Sequence, residues 1–159
     1  MKRTAVFPGS FDPFTIGHEG IVRRALGIFD EIIIALGANA LKKSYYSLAT
    51  RKEMISLVFR DEPRIRVAHY EGLTVDYCKA QGIGYLLRGL RTAADFEFER
   101  AIAQSNKVLA PDIESVFLLT IPEHSHINST IVRDIIRSGG DASVFVPASI
   151  DLTRFRGEE

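Results

Sequence analysis

Residues Glu31–Gly37 read EIIIALG. Three consecutive isoleucines followed by Ala-Leu leave no polar face. A half-solvated strand would alternate. A continuous β-branched run of this length is the pattern of a strand buried on both faces, as in a parallel sheet covered by helices.

The neighbouring segments fit that role. Upstream, Thr4–Phe7 is a short apolar run ended by Pro8-Gly9, and residues 17–29 put Ile21, Val22, Ala25, Leu26 and Phe29 on one helical face. Downstream, residues 38–47 read as a loop, and Ser47 begins a helix with Met54, Ile55, Val58 and Phe59 inside. Arg64–Tyr70 alternates as a third strand, and residues 73–81 form a short helix stopped by Gly82. Tyr85–Arg88 is a fourth strand, residues 93–109 the longest helix, and Ser115–Thr120 a fifth strand. Residues 129–138 form a helix with Ile131, Val132, Ile135 and Ile136 inward, stopped by Gly139-Gly140; Val146-Pro147 leads into a last short helix. Strands alternating with helices predict an α/β fold: a doubly wound, five-stranded parallel sheet in a single domain over residues 1–159.

Composition limits the function. Of the 159 residues, 46% are hydrophobic and 25% charged, which is ordinary globular usage. Lys+Arg and Asp+Glu both number 20, so a general affinity for nucleic acid or an anionic membrane is not expected, and anions must be bound by local clusters. The single cysteine, Cys78, excludes an internal disulfide and a Cys-based zinc site and reads as a small, semi-buried residue. The start, Met-Lys-Arg-Thr, shows no signal-peptide pattern, and no apolar run approaches the ~20 residues of a membrane span, so a cytoplasmic protein is expected.

In a doubly wound sheet, ligands bind outside the carboxyl ends of the strands, where strand order reverses. Four loops at such ends carry residues suited to phosphate. After the first strand comes Val6–His18, VFPGSFDPFTIGH. It is neither a P-loop nor G-x-G-x-x-G. It offers Gly9 and Ser10, then Thr15-Ile16-Gly17-His18 at a helix start, where backbone N–H groups favour an anion and Gly17 permits close approach. After the second strand, Ala38–Lys43 brings Lys42. After the fourth, Arg88-Gly89-Leu90-Arg91 places two arginines three apart for bidentate phosphate contacts. After the fifth, Glu123–Thr130 ends in Asn128, Ser129 and Thr130 just before an apolar helical face.

PGSFDPFTIGH, RGLR with DFEFE, and INSTIVR together resemble the nucleotidylyltransferase superfamily with its T/H-x-G-H motif, and within it the bacterial phosphopantetheine adenylyltransferases, over residues 4 to 150. The resemblance implies a Rossmann-like nucleotidyltransferase fold and reversible transfer of AMP from ATP to 4′-phosphopantetheine, giving dephospho-CoA and pyrophosphate, a late step of coenzyme A biosynthesis. It implies His18 as the transition-state stabiliser, with Lys42, Arg88 and Arg91 as further catalytic residues. ATP would meet Ser10, Phe11, His18, Gly89, Leu90, Arg91, Glu99 and the run His124, Ser125, His126, Ile127, Asn128, Ser129 and Thr130. Ser10, Lys42, Thr74 and Arg88 would meet the second substrate. Mg²⁺ would be held mainly by the ATP phosphates and water, and the assembly would be a homohexamer. Asn128 stands where this family usually has Ser, and His124 where a larger aromatic is common.

A phosphate monoester has a second pKa near 6. Near neutral pH it is already a nucleophile and needs no general base, so the sequence favours direct in-line displacement in which the protein positions groups and stabilises charge. The alternatives within the class are a nicotinate-mononucleotide adenylyltransferase or a cytidylyltransferase; outside it, a non-catalytic nucleotide sensor. Lys42 with the RGLR loop argues against the first two. The intact set His18, Lys42, Arg88 and Arg91 argues against the third.

Overall fold

The computed structural model describes residues 1–39 and 41–158. Ala40, within the loop expected after the second strand, and Glu159 lie outside the described residues. Among the described residues, five parallel strands run Thr4–Gly9 (β1), Glu31–Gly37 (β2), Ile65–Tyr70 (β3), Tyr85–Leu90 (β4) and Glu114–Leu119 (β5), in the order β3-β2-β1-β4-β5. The helices are Ile16–Ala25 (α1), Leu48–Val58 (α2), Thr74–Gln81 (α3), Ala93–Leu109 (α4) and Ser129–Arg137 (α5).

EIIIALG is the second strand of the sheet, and six of its seven residues are buried. Its alternate side chains feed two cores. Ile32, Ile34 and Leu36 join Ala5, Phe7 and Leu87 under α1, α2 and α5. Ile33 and Ala35 join Val6 and Leu86 under α3 and the residues just after α4, Ala110 and Ile113. Cys78 is fully buried in this second layer, and burial pushes its thiol up to about 11.

Chain order reverses between β1 and β4, and there the ladder is short. β1 pairs with β2 over six positions but with β4 over two, Ala5↔Tyr85 and Val6↔Leu86. Pro8 accounts for this. Its carbonyl accepts a hydrogen bond from Arg88 Nη1 (2.6 Å) and so points toward β4. A residue's N–H lies on the same side of a strand as its carbonyl, and proline has none to give. The two strands therefore part after Val6 and leave a crevice at their carboxyl ends.

Several boundaries differ from the sequence expectation. β1 continues through Pro8-Gly9 because its full ladder is with β2, where Pro8 pairs with Ala35. β4 continues to Leu90 because Gly89 and Leu90 pair with β5. α1 stops at Ala25 rather than residue 29: the N–H groups of Gly27 and Ile28 turn back to Arg24 and Ala25, although Phe29 still reaches the core. On α5 Ile131 is 48% exposed, because Val132, Ile135 and Ile136 form the inward stripe and Ile131 lies to one side of it. The last helical segment is a single 3-10 turn, Leu152–Arg154, well past Val146-Pro147.

The loop after β1 is held by one buried carboxylate. Asp12 accepts the N–H of Tyr45 on Oδ2 (2.7 Å) and that of Tyr46 on Oδ1 (2.8 Å). Arg51 donates to the carbonyls of Ser10 (2.7 Å) and Tyr46 (3.0 Å), and Arg133 to the Asp12 carbonyl (2.8 Å). Asp12→Ala would leave two buried N–H groups without acceptors. It is expected to lower the unfolding free energy by about 3 kcal/mol in a urea titration, and Asp12→Asn, which keeps one acceptor, by less. An unchanged midpoint and slope for Asp12→Ala would contradict this.

Candidate active site

His18 is positioned by the start of α1. Thr15 is the N-cap residue, and its Oγ1 accepts the His18 backbone N–H (3.3 Å). In return His18 Nδ1 lies 2.9 Å from the Thr15 backbone nitrogen. The pair forms a capping box with histidine in the place usually held by Glu or Gln. The arrangement fixes a tautomer. A backbone N–H can only donate, so Nδ1 must accept, and the ring proton sits on Nε2.

The imidazole packs edge-on to Phe11 (centroids 5.0 Å, 88°) and beside Phe14 (5.3 Å). Burial, then the charges of Arg88 and Arg91, lower its pKa from 6.5 to about 3. In the free protein it is a neutral N–H donor. Phe11 has a backbone φ of 47°, a left-handed conformation unusual for an aromatic residue. Its ring lies where a Cβ on Gly9 would be, 2.7 Å from Phe11 Cζ, so residue 9 must be glycine for the ring to reach His18.

Around this histidine the crevice opens into three connected clefts. The first, about 300 Å³, is lined by His18, Ser10, Gly89, Arg91 and the start of α5. The second, about 260 Å³, is lined by Gly37, Tyr70, Thr74, Ile102 and Asn106. Arg88 and Glu99 stand between them and line both. The third, about 400 Å³, holds Lys42, Lys43, Thr130, Arg133 and Arg137. Ser10 borders all three.

Arg88 is locked in place. Its Nη2 and Nε donate to Glu99 Oε1 (2.6 Å) and Oε2 (3.0 Å), and Nη1 donates to Pro8. A guanidinium has five N–H donors, so two remain, one on each terminal nitrogen. Glu99 is the one buried residue of α4 among the described residues, and both its oxygens are taken by Arg88. Arg91 is paired with Asp95 (3.2 Å) and reaches the Ile127 carbonyl (3.4 Å).

At the start of α5, Asn128 is the N-cap and accepts the Ile131 N–H (2.9 Å). The first helical N–H groups, on Ser129 and Thr130, have no intrahelical partner, which suits an anion. Ser129 Oγ is held on the Pro13 carbonyl (2.8 Å).

The structure gathers Ser10, Phe11, His18, Arg88, Gly89, Arg91, Glu99, Ile127, Asn128 and Ser129 around the first cleft. Thr74 lies in the second, and Lys42 and Thr130 in the third. Leu90 is buried in the sheet. His124 packs against the start of α1, its Cβ 4.0 Å from where a Cβ on Gly17 would stand and its Nδ1 3.6 Å from one on Gly20, and His126 packs edge-on to Phe145. The motif reading did not single out Asp12, Arg51, Asp95 or Arg133. Asp12 lies inside PGSFDPFTIGH and Arg133 inside INSTIVR, so a charged residue within an otherwise apolar or glycine-rich motif was the available signal.

The His18 pKa makes a checkable statement. The unfolded chain takes up a proton on this ring near pH 6.5 and the folded chain only near 3, so the group's contribution to stability is whole above 6.5 and is lost as pH falls toward 3. Nitrogen NMR of the folded protein is expected to show the Nε2–H tautomer of His18 unchanged from about pH 8 to pH 5. A midpoint near 6.5 would contradict the burial and tautomer described above.

Comparison with known proteins identifies the family. The cytidylyltransferase-like family matches residues 6–135. Phosphopantetheine adenylyltransferase of Flavobacterium psychrophilum is 56% identical over 148 residues, covering 93% of this chain and 97% of that one. The protein of the same name from Flavobacterium johnsoniae is 53% identical over 152 residues, covering 96% and 99%. Among solved structures, a bifunctional NMN adenylyltransferase/ADP ribose pyrophosphatase from Francisella tularensis shares the fold with a TM-score of 0.71 at 16% identity, over 92% of this chain and 45% of that one. With a family match over most of its length and relatives above 50% identity, the chain belongs to the phosphopantetheine adenylyltransferases of the cytidylyltransferase-like family.

Proposed function

We propose that the protein transfers AMP from ATP to the phosphate of 4′-phosphopantetheine, releasing pyrophosphate and forming dephospho-CoA, and runs the reverse reaction when pyrophosphate is abundant. The observation that carries this is the shared wall: Arg88 borders both the cleft containing His18 and the α5 N-terminus and the cleft containing Thr74. Two substrates that meet at one phosphorus need adjoining sites with a cation at the junction.

In this reading ATP occupies the first cleft. An oxygen of the acceptor phosphate attacks the α-phosphorus, the bond from that phosphorus to the α,β-bridging oxygen breaks, and pyrophosphate leaves with both electrons of that bond. His18 donates its Nε2 proton as a hydrogen bond to an α-phosphate oxygen as charge builds there, and keeps the proton throughout. The two free N–H groups of Arg88 orient the acceptor phosphate. Arg91 and the first turn of α5 receive the leaving phosphates. Lys42, which lines the third cleft with Ser10, would meet the acceptor phosphate from that side.

Among the described residues, no three His, Cys, Asp or Glu side chains gather as metal ligands. The first cleft presents Arg88, Arg91 and an imidazole N–H, a donor set that fits phosphate oxygens. Mg²⁺ therefore fits as a passenger held by the triphosphate and water, where it would neutralise part of the phosphate charge. No helix is long and apolar enough to cross a membrane among the described residues. Cytoplasmic location, with no nucleic-acid or membrane partner, belongs to the same proposal.

The assay that decides the reading is turnover of ATP with phosphopantetheine. Equal or faster turnover with nicotinate mononucleotide would overturn it. His18→Ala is expected to lower kcat about 10²–10³-fold while leaving both substrate affinities near wild type, because its donor acts on transition-state charge. The defect should persist from about pH 6 to 9. A defect that vanished at high pH would make His18 a general base instead. Lys42→Ala is expected to weaken phosphopantetheine binding as well as slow the reaction, with ATP affinity little changed.

The homohexamer is proposed with a surface to support it. Outside the residues that line the clefts, α4 exposes Phe96, Val108 and Leu109, and the β5 edge exposes Leu119. A helix so apolar on its outer face fits burial against another copy. Light scattering at micromolar concentration is expected to give six chains. A mass equal to one chain would overturn this.

A further inference from the structure

Tyr70 stands in the second cleft and is not among the residues that the motifs point to. It is the last residue of β3, paired with Gly37 of β2. Its hydroxyl lies 2.7 Å from Thr74 Oγ1. Its ring stacks on Tyr77, with centroids 5.1 Å apart and planes 22° apart. It also lies against Gly37, where an added Cβ would be 3.4 Å from the Tyr70 hydroxyl. Three neighbours thus hold one rotamer. The hydroxyl–hydroxyl bond uses one donor and one acceptor of the pair, which leaves a donor and further acceptors for a ligand in the cleft.

The place of Tyr70 in the sheet gives it a further property. Arg88 is on β4 and Tyr70 on β3, with β1 and β2 between them. The side chains close much of that span: the Arg88 guanidinium is held on Pro8 of β1 and the Tyr70 hydroxyl lies over Gly37 of β2, two residues beyond Ala35, the partner of Pro8, so strand and residue spacings put the two groups on the order of 8 Å apart. A bare phosphate held at Arg88 does not touch Tyr70. An acceptor with a long, extended arm does. The wall between them mixes Leu86, Ile102 and Phe117 with the polar Asn106 and Ser115, a lining suited to an arm that alternates methylenes and amides.

Resting on the function proposed above, we propose that Tyr70 is a specificity-determining residue for the acceptor: its hydroxyl, fixed by Thr74, hydrogen-bonds an amide of the extended arm and so measures the length of the molecule whose phosphate sits at Arg88. Tyr70→Phe keeps the ring stack and removes only the hydroxyl. In steady-state assays with ATP and phosphopantetheine, it is expected to raise the acceptor KM about fivefold, the effect of one lost neutral hydrogen bond, with kcat and the ATP KM unchanged. Thr74→Val is expected to act in the same direction. The double variant is expected to lose less than the product of the two single effects, because the two hydroxyls act as one unit. An unchanged acceptor KM in Tyr70→Phe, or an equal rise in the ATP KM, would overturn the inference while leaving the function intact. Absence of phosphopantetheine turnover by the wild-type protein would instead overturn the function, and this inference with it.

Discussion

The buried carboxylate of Asp12 organises this molecule. It sits between β1 and α1 and ties the backbone of residues 45 and 46 to the loop that carries Ser10 and leads into the helix bearing His18. Arg51 and Arg133 reach the carbonyls of that same loop from α2 and α5. Elements distant in sequence are thereby fastened to one turn. The turn can hold Phe11 in a left-handed conformation, costly by about 1–3 kcal/mol, because so many contacts fix its flanks. A site that binds polyphosphate must hold its donors still before the ligand arrives, since donors that had to be ordered at the moment of reaction would raise the barrier.

The electrostatics follow the same logic. The crevice contains strong cations, yet those nearest His18 are already paired: Arg88 with Glu99, Arg91 with Asp95. The carboxylates set the direction of each guanidinium and moderate the field in the crevice. The imidazole between them stays neutral, for a third like charge beside two arginines would be unfavourable, and it offers a hydrogen-bond donor instead. Both Glu99 oxygens face the Arg88 guanidinium and fix its direction. The resemblance groups it with ATP contacts; in the structure it is buried and borders both the first and the second cleft.

Much of this was readable from the chain. EIIIALG identified a strand with two buried faces, and the alternation around it gave the sheet. The phosphate-suited loops were placed by strand ends alone. Features that depend on a partner remote in sequence were not readable. Nothing near Glu99 marks it as buried, because Arg88 reaches it from another element. Nothing near Pro8 says whether the strand ends or continues, because its ladder is with β2. Ile131 fits an inward helical stripe by spacing, and only the packing of α5 turns it outward. The carboxylate of Asp12 finds its acceptor role 33 and 34 residues away.

The proline in β1 also bears on how the sheet coheres. Because the ladder between β1 and β4 closes after two pairs, the sheet is two well-stitched leaves, β3-β2-β1 and β4-β5, joined by a short seam. Arg88 is one of the few links across the open part of that seam, from its own strand to the Pro8 carbonyl. A ligand lying in the crevice touches both leaves and supplies a bridge where the backbone leaves a gap. Occupancy and folding are then thermodynamically coupled: each bound molecule serves as mortar, and the protein's resistance to unfolding becomes a gauge of how much ligand surrounds it.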